Sequence, residues 1–194
     1  AGLALFGTRG ATATRLDDLC SEAGLTKRYF YESFATVDDL LAAVFDKLVE
    51  DLAAATIDAV AAGGWRNPRP ALDAITRHLV SDPRRVHLLL VETRSPVLVE
   101  KRSQLVDLAV DTWLGADPHV DQDPAHRAEQ LFLAHAMGGA WGETVSAWTA
   151  GRIDMSVDDL VDQLVRVFER ITPRRRFGTP DGPDPASAPP AAPR

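Results

Sequence analysis

The stretch Thr14-Arg15-Leu16-Asp17-Asp18-Leu19-Cys20-Ser21-Glu22-Ala23-Gly24-Leu25-Thr26-Lys27-Arg28-Tyr29-Phe30-Tyr31-Glu32-Ser33-Phe34 reads as two short helices broken at one glycine. Gly24 suits the break because glycine takes a positive φ without a Cβ clash. Leu16, Leu19, Cys20 and Ala23 give the first helix an apolar face. On the second, a turn of about 100° per residue sets Phe30 and Phe34 about 40° apart, and the opposite arc presents Lys27, Arg28, Tyr29, Tyr31 and Glu32. A helix held by an apolar side, with a basic and aromatic side turned outward, is what the DNA major groove requires of a recognition helix. Lysine and arginine neutralise phosphates or read guanine, and tyrosine hydroxyls bond phosphate oxygens. Glu32 is awkward near phosphates, although it can accept from cytosine N4. Periodicity alone serves a plain helical hairpin with solvated Lys27 and Arg28 equally well.

Outward from this pair the chain continues as helix, and the predicted fold class is all-α. No segment shows sustained period-2 alternation of β-branched residues, and glycine and proline fall between periodic segments. A first helix ends at Gly7-Thr8-Arg9-Gly10. A fourth starts after Thr36, where Thr36-Val37-Asp38-Asp39 resembles a capping box with Asp in place of Glu. Its stripe is Leu41, Val44, Leu48 and Leu52, and it lasts to Gly63-Gly64, roughly 25 residues or about 37 Å. Prolines then mark helix starts: Pro70 before Ala71–Val80, Pro83 before Arg84–Glu92, Pro96 before Val97–Leu114, and Pro124 opening a helix to Ala150. Ser156 caps a last helix, Val157–Ile171. From Pro173 onward 22 residues hold seven of the thirteen prolines, a composition that predicts disorder.

Composition sets the class. Of 194 residues, 45% are hydrophobic and 25% charged, as in an ordinary soluble globular chain. No apolar run reaches the roughly 18 residues a membrane helix needs, so no membrane partner is expected. Ala1–Phe6 lack the basic region and longer apolar stretch of a signal peptide. They read as the last turns of a truncated helix. Cys20 is the single cysteine, which excludes an internal disulfide and a cysteine-based zinc site. The expected compartment is the cytoplasm. A net charge of −7 argues against a uniformly basic surface but leaves room for a local nucleic-acid patch.

Leu5-Phe6-Gly7-Thr8-Arg9-Gly10, Ala13-Thr14, Ala23-Gly24-Leu25-Thr26-Lys27, Tyr31, Phe34 and Asp38-Asp39-Leu40-Leu41 closely resemble the N-terminal head of TetR-type (tetracycline-repressor-like) regulators. The resemblance is dense and ungapped over residues 3–45. It implies a homodimer with a three-helix helix-turn-helix head over residues 1–46 and a larger helical body over 47–172. The body would bind ligand and dimerise, leaving 173–194 as a tail. By the same resemblance Thr14 and Arg15 begin helix 2 against phosphates. Thr26, Lys27, Arg28 and Tyr29 open the recognition helix, and Tyr31 holds the DNA backbone. Two features depart from the family pattern. Val37 stands where a phosphate-contacting lysine is common. The shortened first helix also lacks the usual upstream basic residues, and residues 1–47 hold five basic side chains against seven acidic ones, a net of −2.

In the body, Gly138, Gly139 and Gly142 lie inside one helix, where each glycine costs about 1 kcal/mol relative to alanine. Close approach of another helix explains them; a kink is the competing account. The resemblance places a four-helix dimer interface on the last two helices, with Gly138, Gly142, Val145, Leu160, Leu164 and Val167 facing the second copy and Ile171 extending the stripe. Trp141 and Trp148 share a face with Met137 and Thr144. With Trp113, His78 and His87 in other helices and His135 on the same one, they suggest an aromatic pocket. The candidate ligand residues are Trp113, His78, His87, Met137 and Trp141, and the plainer reading of each tryptophan is core or interface. Glu143 would meet a cationic ligand or, more simply, solvent.

The acidic loop Asp117–Asp123 lacks the glycine and bidentate glutamate of a calcium loop. His126 and His135 sit about 180° apart on their helix and cannot share a metal. No phosphate loop or nucleophile elbow occurs. No cofactor, metal or catalytic residue is expected. The expected protein is a non-enzymatic, ligand-responsive regulator, a repressor released from a pseudo-palindromic DNA operator by a small hydrophobic or aromatic molecule. Its partners are double-stranded DNA, the effector and a second copy. The alternatives are a ligand-binding protein of the same fold that has lost DNA binding and, further off, an all-helical enzyme.

Overall fold

The computed structural model describes residues 1–63, 67–92, 94–115 and 124–171, and every regular element among them is helical. The helices are α1 (Gly2–Arg9), α2 (Leu16–Ala23), α3 (Lys27–Ser33), α4 (Val37–Gly63), α5 (Arg69–Val80), α6 (Pro83–Val86), α7 (Pro96–Gly115), α8 (Pro124–Thr149) and α9 (Val157–Ile171). α6 runs directly into a π-helical turn, His87–Val91.

The helix ends follow local chemistry. The Thr36 amide donates to Asp39 at 2.9 Å and the Asp39 amide donates to the Thr36 hydroxyl at 3.1 Å. That reciprocal cap satisfies two donors that the first turn of α4 leaves free. Ser156 accepts from the Asp159 amide at 3.1 Å and starts α9 in the same way. Asp82 accepts from the Arg84 amide ahead of α6, where Pro83 fills the first position. Gly24 (φ 65°) and Gly151 (φ 72°) turn the chain out of α2 and α8 through the left-handed region.

One buried cluster joins the first and last described helices. Phe6 of α1 and Leu19 of α2 belong to the same core as Leu41, Phe45 and Leu48 of α4, Leu88 and Leu89 of the π turn, Val145 of α8 and Leu160 of α9. Within α4 the inner stripe includes Phe45, and Val44, expected there, is half-buried. α4 spans 27 residues and runs unbroken through position 46, where the head was expected to end. Each large side chain in this core contributes about 1.5–3 kcal/mol by leaving water. α1 and α4 therefore hold the first three helices against the body. The sequence 173–194, the loop Asp117–Asp123 and the side chains of Trp113 and His126 lie outside the described residues.

Candidate nucleic-acid interface

The α2–α3 unit is built around its glycine. The Leu25 amide returns to the Cys20 carbonyl at 2.9 Å and the Gly24 amide to Ser21 at 3.2 Å, which closes the end of α2. Phe30 is buried under α3, with the Phe34 ring 5.8 Å away and the Tyr31 ring edge-on at 5.5 Å. That anchors the apolar side and leaves Thr26, Lys27, Arg28, Tyr29 and Tyr31 exposed along the other.

Three cations on or beside this face meet carboxylates. Lys27 Nζ lies 2.6 Å from Asp17, Arg28 Nε 3.3 Å from Glu32, and Arg9 3.6 Å from Asp18. The hydrogen bond and charge of Asp17 raise the Lys27 pKa above its ordinary value, so Lys27 stays protonated. These pairs are solvent-exposed and screened, and a phosphate can compete for the same hydrogens.

Thr14 is corrected by the structure. It is only 6% exposed, and its hydroxyl donates to the Gly10 carbonyl at 2.8 Å. Its side chain is spent on shaping the α1–α2 turn and does not face a phosphate. Arg15 is exposed at the start of α2, with its backbone amide on Asp18 at 3.4 Å. Glu92, which the sequence reading passed over, reaches this turn from the body and accepts from the Ala11 amide at 3.2 Å.

The expected dimer residues divide. Val145, Leu160 and Leu164 are buried within the single chain, so they are core and not interface. Their stripe is apolar because α9 and α8 pack against their own body. Val167 remains 41% exposed, beside exposed Ile171. A Cβ added to Gly138 or Gly139 would meet nothing within 4 Å, whereas one on Gly142 would lie 3.7 Å from Leu90. Phe132, 71% exposed, stands on the same helix as these glycines.

Of the expected ligand residues whose side chains are described, Met137 and Trp141 come together and His78 and His87 lie apart from them. Met137 and Trp141 line an apolar cavity of about 110 Å³ between α8 and α9, with Thr144, Leu164, Val167 and Phe168 among its walls. Trp141 donates to Thr76 at 3.1 Å, and Trp148 to the Met155 carbonyl at 2.8 Å, and both rings pack partly buried against the core. His78 and His87 lie outside that cavity. Each has a buried Nε2 with no hydrogen-bond partner among the described residues. Burial, aided by the Arg85 charge, lowers the His78 pKa from its ordinary value. A second cavity, about 300 Å³, opens between α7 and α8 at Val99, Arg102, Ser103, Val106, Asp107 and His135. Glu143 is exposed and paired with Arg152 at 3.1 Å. Among the described residues no helix is long and apolar enough to cross a membrane, and no group of three or more His, Cys, Asp or Glu could hold a metal ion.

Comparison with known proteins bears on the head and on the fold separately. Residues 1–44 match the family model for bacterial regulatory proteins of the tetR family. No curated protein matches the chain. A crystal structure of a TetR-like transcriptional regulator from Rhodococcus sp. RHA1 superposes with a TM-score of 0.62 at 19% identity, covering 87% of this chain and 90% of that one. At that identity the likeness is one of fold.

Proposed function

We propose, from the match of residues 1–44 to the tetR family model and the likeness of the whole fold to a TetR-like regulator, that this protein is a homodimeric, effector-controlled, DNA-binding repressor. The observation that carries the reading is the outer face of α3, where Lys27, Arg28, Tyr29 and Tyr31 stand exposed on a family-matched head. Lys27, Tyr31 and Arg15 would hold phosphates. Arg28, with Thr26 and Tyr29, would face base edges.

Two recognition helices must lie about 34–36 Å apart, or a multiple, to read a pseudo-palindrome. A ligand that favours another spacing weakens operator binding by its differential affinity for the two states. The second copy would cover the open α8 strip of Phe132, Gly138 and Gly139 together with Val167 and Ile171 of α9. The apolar cavity beside Met137 and Trp141 suits a small hydrophobic or aromatic effector, and its modest volume requires that the ligand open it further.

Selection from a random duplex pool with the full chain tests this reading. An enriched pseudo-palindrome whose affinity falls steeply with salt supports it. A folded dimer that enriches nothing at low salt refutes it. The carboxylates paired with Arg9, Lys27 and Arg28 favour a second reading, a ligand-binding protein of this fold without DNA binding, and the same selection separates the two.

A further inference from the structure

The π turn that follows α6 ends on a carboxylate wedged between body and head. The Glu92 amide donates to the His87 carbonyl at 2.8 Å and closes the turn. On α7, Arg102 donates to the Leu89 carbonyl at 2.8 Å and to the Glu92 carbonyl at 2.7 Å, so the backbone here is bolted to the body. Glu92 is 6% exposed. One carboxylate oxygen accepts from the Arg94 amide at 2.8 Å; the other accepts from the Ala11 amide at 3.2 Å.

On the head side, the chain is shaped to receive that oxygen. A Cβ on Gly10 would lie 2.9 Å from it, and Gly10 has φ 84°, a conformation that favours glycine at position 10. The Gly10 carbonyl accepts the Thr14 hydroxyl, and Arg15 follows directly as the residue that starts α2. The clamp therefore sits four residues before the first basic side chain of the proposed DNA face.

We propose that Glu92 is a positioning residue for the head: its carboxylate fixes the α1–α2 turn to the body through the Ala11 amide and so sets how α2 and α3 are presented. The head's role in DNA binding is the reading given above; the clamp itself stands on the geometry alone. A buried carboxylate that reaches a backbone amide 81 residues away in sequence is costly as filler, because an unpaired charge there is penalised by desolvation. The π turn also reaches the opposite way. Leu90 packs near Gly142 of α8, the helix that carries Met137 and Trp141. A displacement of α8 thus has a short physical route to Ala11.

The test uses the full chain and its Glu92→Gln variant, with backbone amide exchange followed residue by residue. The variant should exchange the Ala11 amide about tenfold faster, since a charge-assisted acceptor is lost, while amides of α9 keep their protection. Affinity for the selected operator should fall about tenfold with an unchanged salt slope, because the phosphate contacts remain. Unchanged Ala11 exchange overturns the clamp. Faster exchange with unchanged operator affinity overturns the positioning role. A parent protein that selects no operator removes the DNA reading, and the exchange result then decides the clamp alone. Should the variant not fold, the parent suffices. The Ala11 and Arg94 amide shifts should titrate together with one midpoint, set by the carboxylate and its charged neighbours His87, Arg94 and Arg102. Two unrelated midpoints, or none, overturn the clamp.

Discussion

Lys27 Nζ lies 2.6 Å from Asp17 Oδ1, so the first cation of α3 is held by a carboxylate of α2 before any DNA arrives. A phosphate has to displace that partner and also approach the uncompensated charge it leaves behind. Asp17→Asn should therefore tighten binding to any duplex about two- to fivefold at low salt, with the gain vanishing as salt screens the site. Lys27→Ala should weaken binding to all sequences and reduce the salt slope by about one. Titrations of operator and scrambled duplex across salt concentrations check both. Equal salt slopes for Lys27→Ala and parent would remove Lys27 from the phosphate contacts.

Arg28 and Tyr31 stand on the same exposed arc and are assigned different tasks. Arg28→Ala should cost about 1–3 kcal/mol on the preferred operator and relax sequence choice at one position of each half-site. Tyr31→Phe should weaken operator and scrambled duplex alike, since only a phosphate hydrogen bond is lost. Repeating the selection with each variant separates them. If Arg28→Ala returned the parent's consensus unaltered, α3 would have to present another side chain to the bases.

The course of the chain was legible in its sequence because helix ends depend on nearest neighbours. Thr36 with Asp39, Ser156 with Asp159, Gly24 and Gly151 each act within four residues, and all terminate or start helices where their chemistry requires. What a stripe faces is another matter. Leu160, Leu164 and Val167 recur at helical spacing, yet two are core and the third is exposed, because periodicity states that a face is covered without saying by which chain. Thr14 shows the same limit at one residue: a threonine before a helix reads as a surface contact, and only the fold reveals that Gly10 takes its hydroxyl. Glu92 follows the apolar run Leu88–Val91 and looked like a helix end; its partner Ala11 lies too far along the chain for any local pattern to signal it.

That division between core and open surface has measurable consequences. Leu160→Ala removes a buried side chain and should destabilise the folded chain by about 2–5 kcal/mol in urea unfolding. Val167→Asp places charge on the open edge of α9. It should change the stability of the isolated chain by less than about 1 kcal/mol and shift sedimentation toward monomer. Val167→Asp sedimenting as the parent would move the dimer surface elsewhere on the body.

Acid sensitivity should come in two separable steps. Burial pushes His78 below its ordinary value of 6.5, so the unfolded chain takes up that proton first. Stability from this group is whole above about 6.5 and is lost as pH falls toward the depressed native value. Burial alone would raise Glu92, but the Arg94 and Ala11 amides outweigh it, helped by the charges of His87 and Arg94, and hold the carboxyl below its ordinary 4.5. Its contribution is intact above about 4.5 and disappears only as pH falls through the lower native value. Urea midpoints measured from pH 8 to pH 3 should thus show a shallow decline near neutrality and a second, acidic one. His78→Asn should flatten the first alone. Glu92→Gln should reduce the second alone, because an amide has no proton to gain, and Asp82 and Asp51, held below their ordinary values by Arg84 and Lys47, carry the remainder. A single acid transition untouched by Glu92→Gln would mean that the carboxylate between the π turn and Ala11 contributes no net stability to the native state.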